Sequence, residues 1–249
     1  MASKQLGPSD ERDLFPTALS LIEQTNPKAV MLENVRGLAS AKFSSYRLQI
    51  ITHLNRLGYE ADWRLIFSSQ FGVPQLRPRF ILVAIKRNQG SRFTFPEPNT
   101  ETTTVGDVLF DLMAEDGWEG AIKWREKANT IAPTIVGGSK KHGGADLGPS
   151  RAKREWLALG IDGKGIGNNP PPSDAGEDIL PRLTLRMVAR LQGFPDDWEF
   201  CGGKTSSYRQ IGNAFPPPVA EKIGLQIAEA LCGDSIVQKT NQLEINFAA

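Results

Sequence analysis

Four consecutive apolar residues, Ala29-Val-Met-Leu32, run into a carboxylate, an amide and a β-branched residue, Glu33-Asn34-Val35. Such an uninterrupted run predicts a strand buried on both faces, with Glu33 near its carboxyl end. Ahead of it, Leu14, Ala18, Leu21 and Ile22 are spaced i, i+4, i+7, i+8 behind the acids of Asp10-Glu-Arg-Asp13. That is an amphipathic helix with negative charge at its positive end, stopped by Asn26-Pro27. A second helix follows from about residue 46 to 57, with Leu48, Ile51, Leu54 and Leu57 inward and Gly58 closing it. Trp63, Leu65 and Phe67 then alternate as a half-buried strand. Past the turn Phe71-Gly-Val-Pro74 and the segment Gln75-Leu-Arg-Pro-Arg79, residues 80–85 form another continuous apolar strand. Helix, strand, helix, strand, turn, strand is α/β organisation.

From Asn88 to about Leu180 the periodicity breaks, Gly and Pro are dense, and the stretch is expected to be a separate loop-rich module. Gly163-Lys-Gly-Ile-Gly167 has the glycines of a dinucleotide fingerprint, but no strand precedes it and prolines follow, so that reading fails. Order returns at Pro181. Thr184 is suited to cap a short helix carrying Met187, Val188 and Leu191, and residues 208–218 are expected to be a turn-rich loop. Val219, Ile223, Ile227 and Leu231 then share a face of a last helix, and residues 233–249 form a tail of low apolar content.

Composition adds little until it is resolved along the chain. In 249 residues, 40% hydrophobic and 23% charged content is ordinary for a globular protein. No run approaches the ~20 apolar residues of a membrane span, and Met-Ala-Ser-Lys-Gln lacks the apolar segment of a signal peptide, so the expected location is cytoplasmic. The two cysteines, Cys201 and Cys232, have no metal-ligand spacing around them, and no metal is expected. The net charge of +1 conceals two blocks. Residues 97–119 hold seven acids and no Lys or Arg; residues 121–164 hold nine basic residues against four acidic ones. The basic block includes Gly137-Gly-Ser-Lys-Lys-His-Gly-Gly144. A Gly-rich basic loop lets backbone approach phosphates, although a solvated loop has the same composition. Lys140, Lys141 and His142, with Arg151 beyond them, are therefore the candidates for contact with nucleic acid.

Glu33 stands where open α/β sheets gather their chemistry, at the carboxyl end of a strand. A half-enclosed carboxyl there can donate or accept a proton; a surface carboxylate beside a helix cap is the plain alternative. Four ordered blocks weigh on that choice: Glu33-Asn-Val35; Gln75-Leu-Arg-Pro-Arg79; Arg182-Leu-Thr-Leu-Arg186 with Arg190-Leu-Gln-Gly-Phe-Pro195; and Gln210-Ile-Gly-Asn-Ala214. Together with Lys4-Gln5 and Asp10-x-Arg12-x-Leu14-Phe15, they resemble the DNA cytosine-5 methyltransferase family. The resemblance spans nearly the whole chain except the module at about 91–180, which in the family is the variable target-recognition domain.

The resemblance implies an α/β fold, part of a Rossmann-like S-adenosylmethionine-dependent methyltransferase sheet with a small loop-rich target-recognition domain. It divides the chain into residues 1–90 (catalytic portion), 91–180 (recognition), 181–232 (return to the catalytic domain) and 233–249 (tail). It implies that Glu33 holds N3 and the amino group of a flipped cytosine, and that Arg77 and Arg79 support the active-site loop and bind the cytosine O2. It implies that Asn213 and Ala214 close over the methionine part of S-adenosyl-L-methionine, and that Leu14 packs near its adenine. Arg186 and Arg190 would scaffold the recognition domain. The partner implied is double-stranded DNA.

Two departures stand out. Met187 replaces the Glu that often follows Thr-x-Arg in the family, which should remove the reciprocal half of a capping box. More consequentially, the family's Pro-Cys nucleophile and its Phe-x-Gly-x-Gly turn are absent. The expectation is a truncated or split enzyme, inactive alone, whose N-terminal half lies on a separate chain or in an upstream frame. The strand at Ala29–Leu32 would then present an open edge. A DNA-binding module without chemistry and an RNA cytosine-5 methyltransferase relative are the competing readings.

Overall fold

The computed structural model describes residues 13–88, 92–137 and 144–232. Lys4, Gln5, Asp10, Arg12 and the 233–249 tail lie outside them, as do Lys140, Lys141 and His142. The chain forms two compact units. One comprises residues 1–66, 78–97 and 221–249; the other comprises 67–77 and 98–220.

The first unit holds helix α1 (Phe15–Thr25), strand β1 (Ala29–Val35), helix α2 (Ser44–Arg56), strand β2 (Tyr59–Phe67) and strand β3 (Pro78–Lys86). The sheet order is β1-β3-β2. β1 runs antiparallel to β3, from Ala29 opposite Ile85 to Val35 opposite Arg79. Among the described residues β1 is thus an edge strand, and it extends through Glu33-Asn34-Val35 instead of ending at Leu32. The core gathers Phe15, Ile22, Val30, Ile50, Leu54, Tyr59, Phe80, Leu82 and Ala84. Phe80, Leu82 and Ala84 alternate with Ile81, Val83 and Ile85, which are buried as well, so the continuous apolar run of β3 has both faces covered.

Local chemistry sets the ends. Asn26 adopts φ 47° and its N–H donates to the Ile22 carbonyl, closing α1 ahead of Pro27. Gly58, at φ 87°, takes the left-handed turn between α2 and β2. One residue expected inward on α2 faces solvent: Leu48 is 65% exposed, while Ile50 and Leu54 are buried. At ~100° per residue Leu48 lies about 200° around the helix from Ile50, so a face centred on Ile50 and Leu54 leaves it in solvent.

The second unit is more helical than its composition suggests. It contains α3 (Val105–Ala114), α4 (Ala121–Lys127), α5 (Ser150–Ala158), α6 (Leu185–Leu191) and α7 (Lys204–Asn213). α8 (Pro217–Cys232) begins here and continues into the first unit. The expected irregular module therefore carries three helices. α3 is nucleated by Thr104, whose Oγ1 accepts from the Asp107 N–H at 3.1 Å, and it buries Val105, Leu109, Leu112 and Met113. α5 buries chiefly Trp156 among charged neighbours, which hides its periodicity. α7 likewise replaces the first part of the expected 208–218 loop, because Tyr208 and Ile211 pack one turn apart.

The capping box at α6 survives in altered form. Met187 N–H donates to Thr184 Oγ1 at 3.2 Å, and Thr184 N–H donates to Met187 Sδ at 3.4 Å. A weakly accepting thioether takes the place of a carboxylate, and Met187 is fully buried besides. The acidic run is answered by arginines within the unit. Asp107 pairs with Arg125 at 2.9 Å, Asp111 with Arg190 at 2.5 Å, and Glu115 with Arg186 at 2.9 Å. Asp196 receives both Arg186 and Arg190, and chiefly the Arg190 hydrogen bonds hold its carboxyl at about 2, well below the usual range.

Candidate active site

The β1–β3 register creates the pairing at the centre of the site. Glu33 stands opposite Ile81, so it shares a face with Arg79, one diagonal step along the ladder. Glu33 Oε1 meets Arg79 Nε at 2.6 Å. Arg79 Nη1 also donates to the Pro78 carbonyl at 3.0 Å, which sets the plane of the guanidinium. Burial lowers the Arg79 pKa from its ordinary value while the Glu33 carboxylate opposes the shift. The pair is unequally covered: the Arg79 side chain is 14% exposed and that of Glu33 is 35%. Among the described residues, Glu33 Oε2 and Arg79 Nη2 make no hydrogen bond. The site therefore offers an acceptor and a donor on adjacent strands, already fixed by their mutual ion pair.

Arg77 is built differently. It is fully buried in the second unit. Its Nη1 donates to the Ile135 carbonyl at 2.8 Å, and its Nη2 to the carbonyls of Gly212 at 2.9 Å and Ala214 at 2.7 Å. Both terminal nitrogens of Arg77 thus bind backbone carbonyls, whereas Arg79 pairs with a carboxylate.

A sequence model of the C-5 cytosine-specific DNA methylase family matches residues 1–229. The chain belongs to that family. It is 58% identical over 232 residues to the Type II methyltransferase M.NaeI of Lentzea aerocolonigenes, covering 93% of this chain and 56% of that protein. It is 51% identical over 234 residues to the Type II methyltransferase M.NgoMIV of Neisseria gonorrhoeae, covering 92% of this chain and 73% of that one. The chain thus spans little more than half the length of the first of these relatives. Its fold is also that of solved methyltransferases. A Spodoptera frugiperda DNMT2 variant superposes with a TM-score of 0.54 at 16% identity, covering 90% of this chain and 74% of the other. The S. pombe Dnmt2 methyltransferase superposes at 0.50 with 18% identity, covering 86% and 71%.

Leu14, just ahead of α1, is 72% exposed. Asn213 is exposed at the end of α7, and Ala214 is its C-cap. Arg151 is exposed on α5 and paired with Glu155 at 3.1 Å. Cys201 and Cys232 are both exposed. Among the described residues no cluster of His, Cys, Asp and Glu could hold a metal ion, and no helix is long and apolar enough to cross a membrane. Sequence reasoning gave no role to two fully buried amides, Gln75 and Gln192, which hydrogen-bond each other at 2.6 Å. Each adjoins a large apolar residue, Leu76 or Leu191, and an amide in such a setting is the available sign.

Proposed function

We propose that this chain carries the base-holding and DNA-reading part of a Type II modification methyltransferase that acts on C5 of cytosine in duplex DNA. The observation that supports it most is the Glu33–Arg79 pair, with one carboxylate oxygen and one guanidinium nitrogen left over. A cytosine edge presents an amino donor at C4, a ring nitrogen at N3 and a carbonyl oxygen at O2. Glu33 Oε2 accepts from the amino group, and a proton taken up from solvent bridges the carboxyl group and N3 as C6 is attacked; Arg79 Nη2 donates to O2. When a nucleophile adds to C6, charge flows to N3 and O2, the atoms those side chains hold. Neither face of C6 is reachable inside the stack, so the base must be flipped out.

The nucleophile is a thiolate from a Pro-Cys segment that these 249 residues do not include. S-adenosyl-L-methionine supplies the methyl group. Its proposed contacts are Leu14, an exposed apolar side chain, and Asn213–Ala214, whose Ala214 carbonyl accepts from Arg77 Nη2. The lysines, His142 and Arg151 of the basic block contact DNA phosphates. The competing reading is DNA binding without chemistry.

The deciding experiment combines the chain with a segment bearing the Phe-x-Gly-x-Gly and Pro-Cys motifs, fused or added, and follows labelled methyl transfer to duplex DNA and to RNA. Transfer to DNA is expected, with Glu33→Gln reducing it by ~10²-fold or more while DNA binding persists. Tight DNA binding with no transfer would favour the binding module, and transfer to RNA alone would overturn the choice of substrate.

A further inference from the structure

Four segments of the second unit meet in a buried polar ring that no step of the proposed chemistry uses. Ile135 is held through both backbone groups: its N–H donates to Gln75 Oε1 at 2.7 Å, and its carbonyl accepts from Arg77 Nη1 at 2.8 Å. Since a backbone N–H can only donate, Gln75 must turn its oxygen to Ile135 and its Nε2 to Gln192 Oε1, 2.6 Å away. Gln192 is then left with its Nε2 facing the carbonyls of Ile211 and Ala214, each at 3.0 Å. The ring has one sense, from a donor at Ile135 to acceptors at the end of α7. Arg77 Nη2 closes it on Gly212 and on Ala214, whose carbonyl accepts twice.

Water can satisfy carbonyls at a helix end, whereas burying two amides and a guanidinium for the purpose is costly. What the ring adds is position. It locks the end of α7 to residues 135–137, where backbone meets backbone. A Cβ on Gly212 would stand 2.5 Å from Gly137 Cα, and one on Gly137 would stand 2.4 Å from Asn213 Oδ1.

We propose that Gln75 and Gln192 are positioning residues of the methyl-donor site: they fix Asn213 and Ala214 against Ile135–Gly137 and so set the affinity for S-adenosyl-L-methionine. This rests on the role given above to Asn213 and Ala214. Gln192→Met keeps length but removes the donor to Ala214. In the methyltransferase complete with its Pro-Cys segment, it should raise KM for S-adenosyl-L-methionine about 10-fold, the effect of one or two lost hydrogen bonds, with kcat and KM for DNA within about threefold. Gln75→Met should act in the same direction. The double variant should be no worse than the worse single one by more than about twofold, because both act on one ring.

Gln192→Glu, close to Gln in shape, keeps the acceptor for Gln75 but turns an oxygen towards Ala214. It should reproduce the KM defect, and it serves as the test if Gln192→Met does not fold. An unchanged KM for S-adenosyl-L-methionine in these variants, whatever their melting temperature, would make the ring purely structural and overturn the inference. So would multiplicative effects in the double variant. If the unsubstituted protein transfers no methyl group to DNA, the functional reading falls and this inference with it. Transfer with an unmoved KM removes this inference alone.

Discussion

Gly212 and Gly224 both lie in helices, and the same substitution should move stability in opposite directions at the two. At Gly224, in α8, an added Cβ meets nothing within 4 Å. Alanine there gains helix propensity, worth ~0.5–1 kcal/mol. At Gly212, in α7, the added Cβ would lie 2.5 Å from Gly137 Cα, 2.6 Å from Gly137 N and 3.0 Å from the Val136 carbonyl carbon. All three are backbone atoms, so no rotamer change relieves them, and one segment must move by roughly 1 Å. Overpacking of this kind costs ~1–3 kcal/mol. The shift also stretches the Arg77 bond to Gly212 and the Gln192 bond to Ala214, each worth ~0.5–1.5 kcal/mol. Set against a propensity gain of at most ~1 kcal/mol, the net expectation is a loss of ~1–4 kcal/mol. At ~2–4 °C per kcal/mol, Gly224→Ala should melt ~1–4 °C higher than the parent and Gly212→Ala ~2–16 °C lower. Parallel thermal and urea melts of the parent and the two variants decide it. A Gly212→Ala variant that melts at or above the parent would refute the close approach of residues 137 and 212, and with it the fixed position of Asn213.

Other predictions bear on DNA contact, pH and local structure. Replacing Lys140 and Lys141 by Ala should weaken DNA binding and reduce the slope of log K against log salt by ~1.8, two phosphate contacts; an unchanged slope would leave them as solvated charges. The Asp196 carboxyl, held at about 2 against an ordinary 3.8, contributes stability that is present above the ordinary value and lost as pH falls towards 2. Asp196→Asn should therefore be less stable than the parent at neutral pH and should converge with it in that acidic window, as followed by denaturant midpoints. Thr104→Ala should cost ~1 kcal/mol by removing the cap of α3, and Thr104→Ser should retain most of it; equal losses would place the effect in the methyl group instead.

The parts legible in the sequence are those whose chemistry is local. Glu33-Asn-Val and the strand run before it announce a carboxyl group on a strand, and β3 announces itself by six apolar residues in a row. The Gln-x-Arg-x-Arg segment shows why the rest is hidden. Arg77 and Arg79 are the same residue type two positions apart, yet one is a buried tie between segments and the other pairs with Glu33. The difference is decided by carbonyls 58, 135 and 137 residues away from Arg77, and no local pattern encodes them. Gln75 is set by partners 60 and 117 residues distant in the same way. Helices α4 and α5 were hidden for a different reason: a face carried mainly by one tryptophan, Trp124 or Trp156, has no period to read. Met187 combines both effects. By residue type it breaks the capping box, and only its burial brings Sδ to the Thr184 N–H. Met187→Glu, which would restore the usual residue by name, would place a carboxylate at a fully buried position. The desolvation it incurs should exceed the capping bond it strengthens. A motif can therefore place a reacting group, but the groups that hold it in place answer to packing.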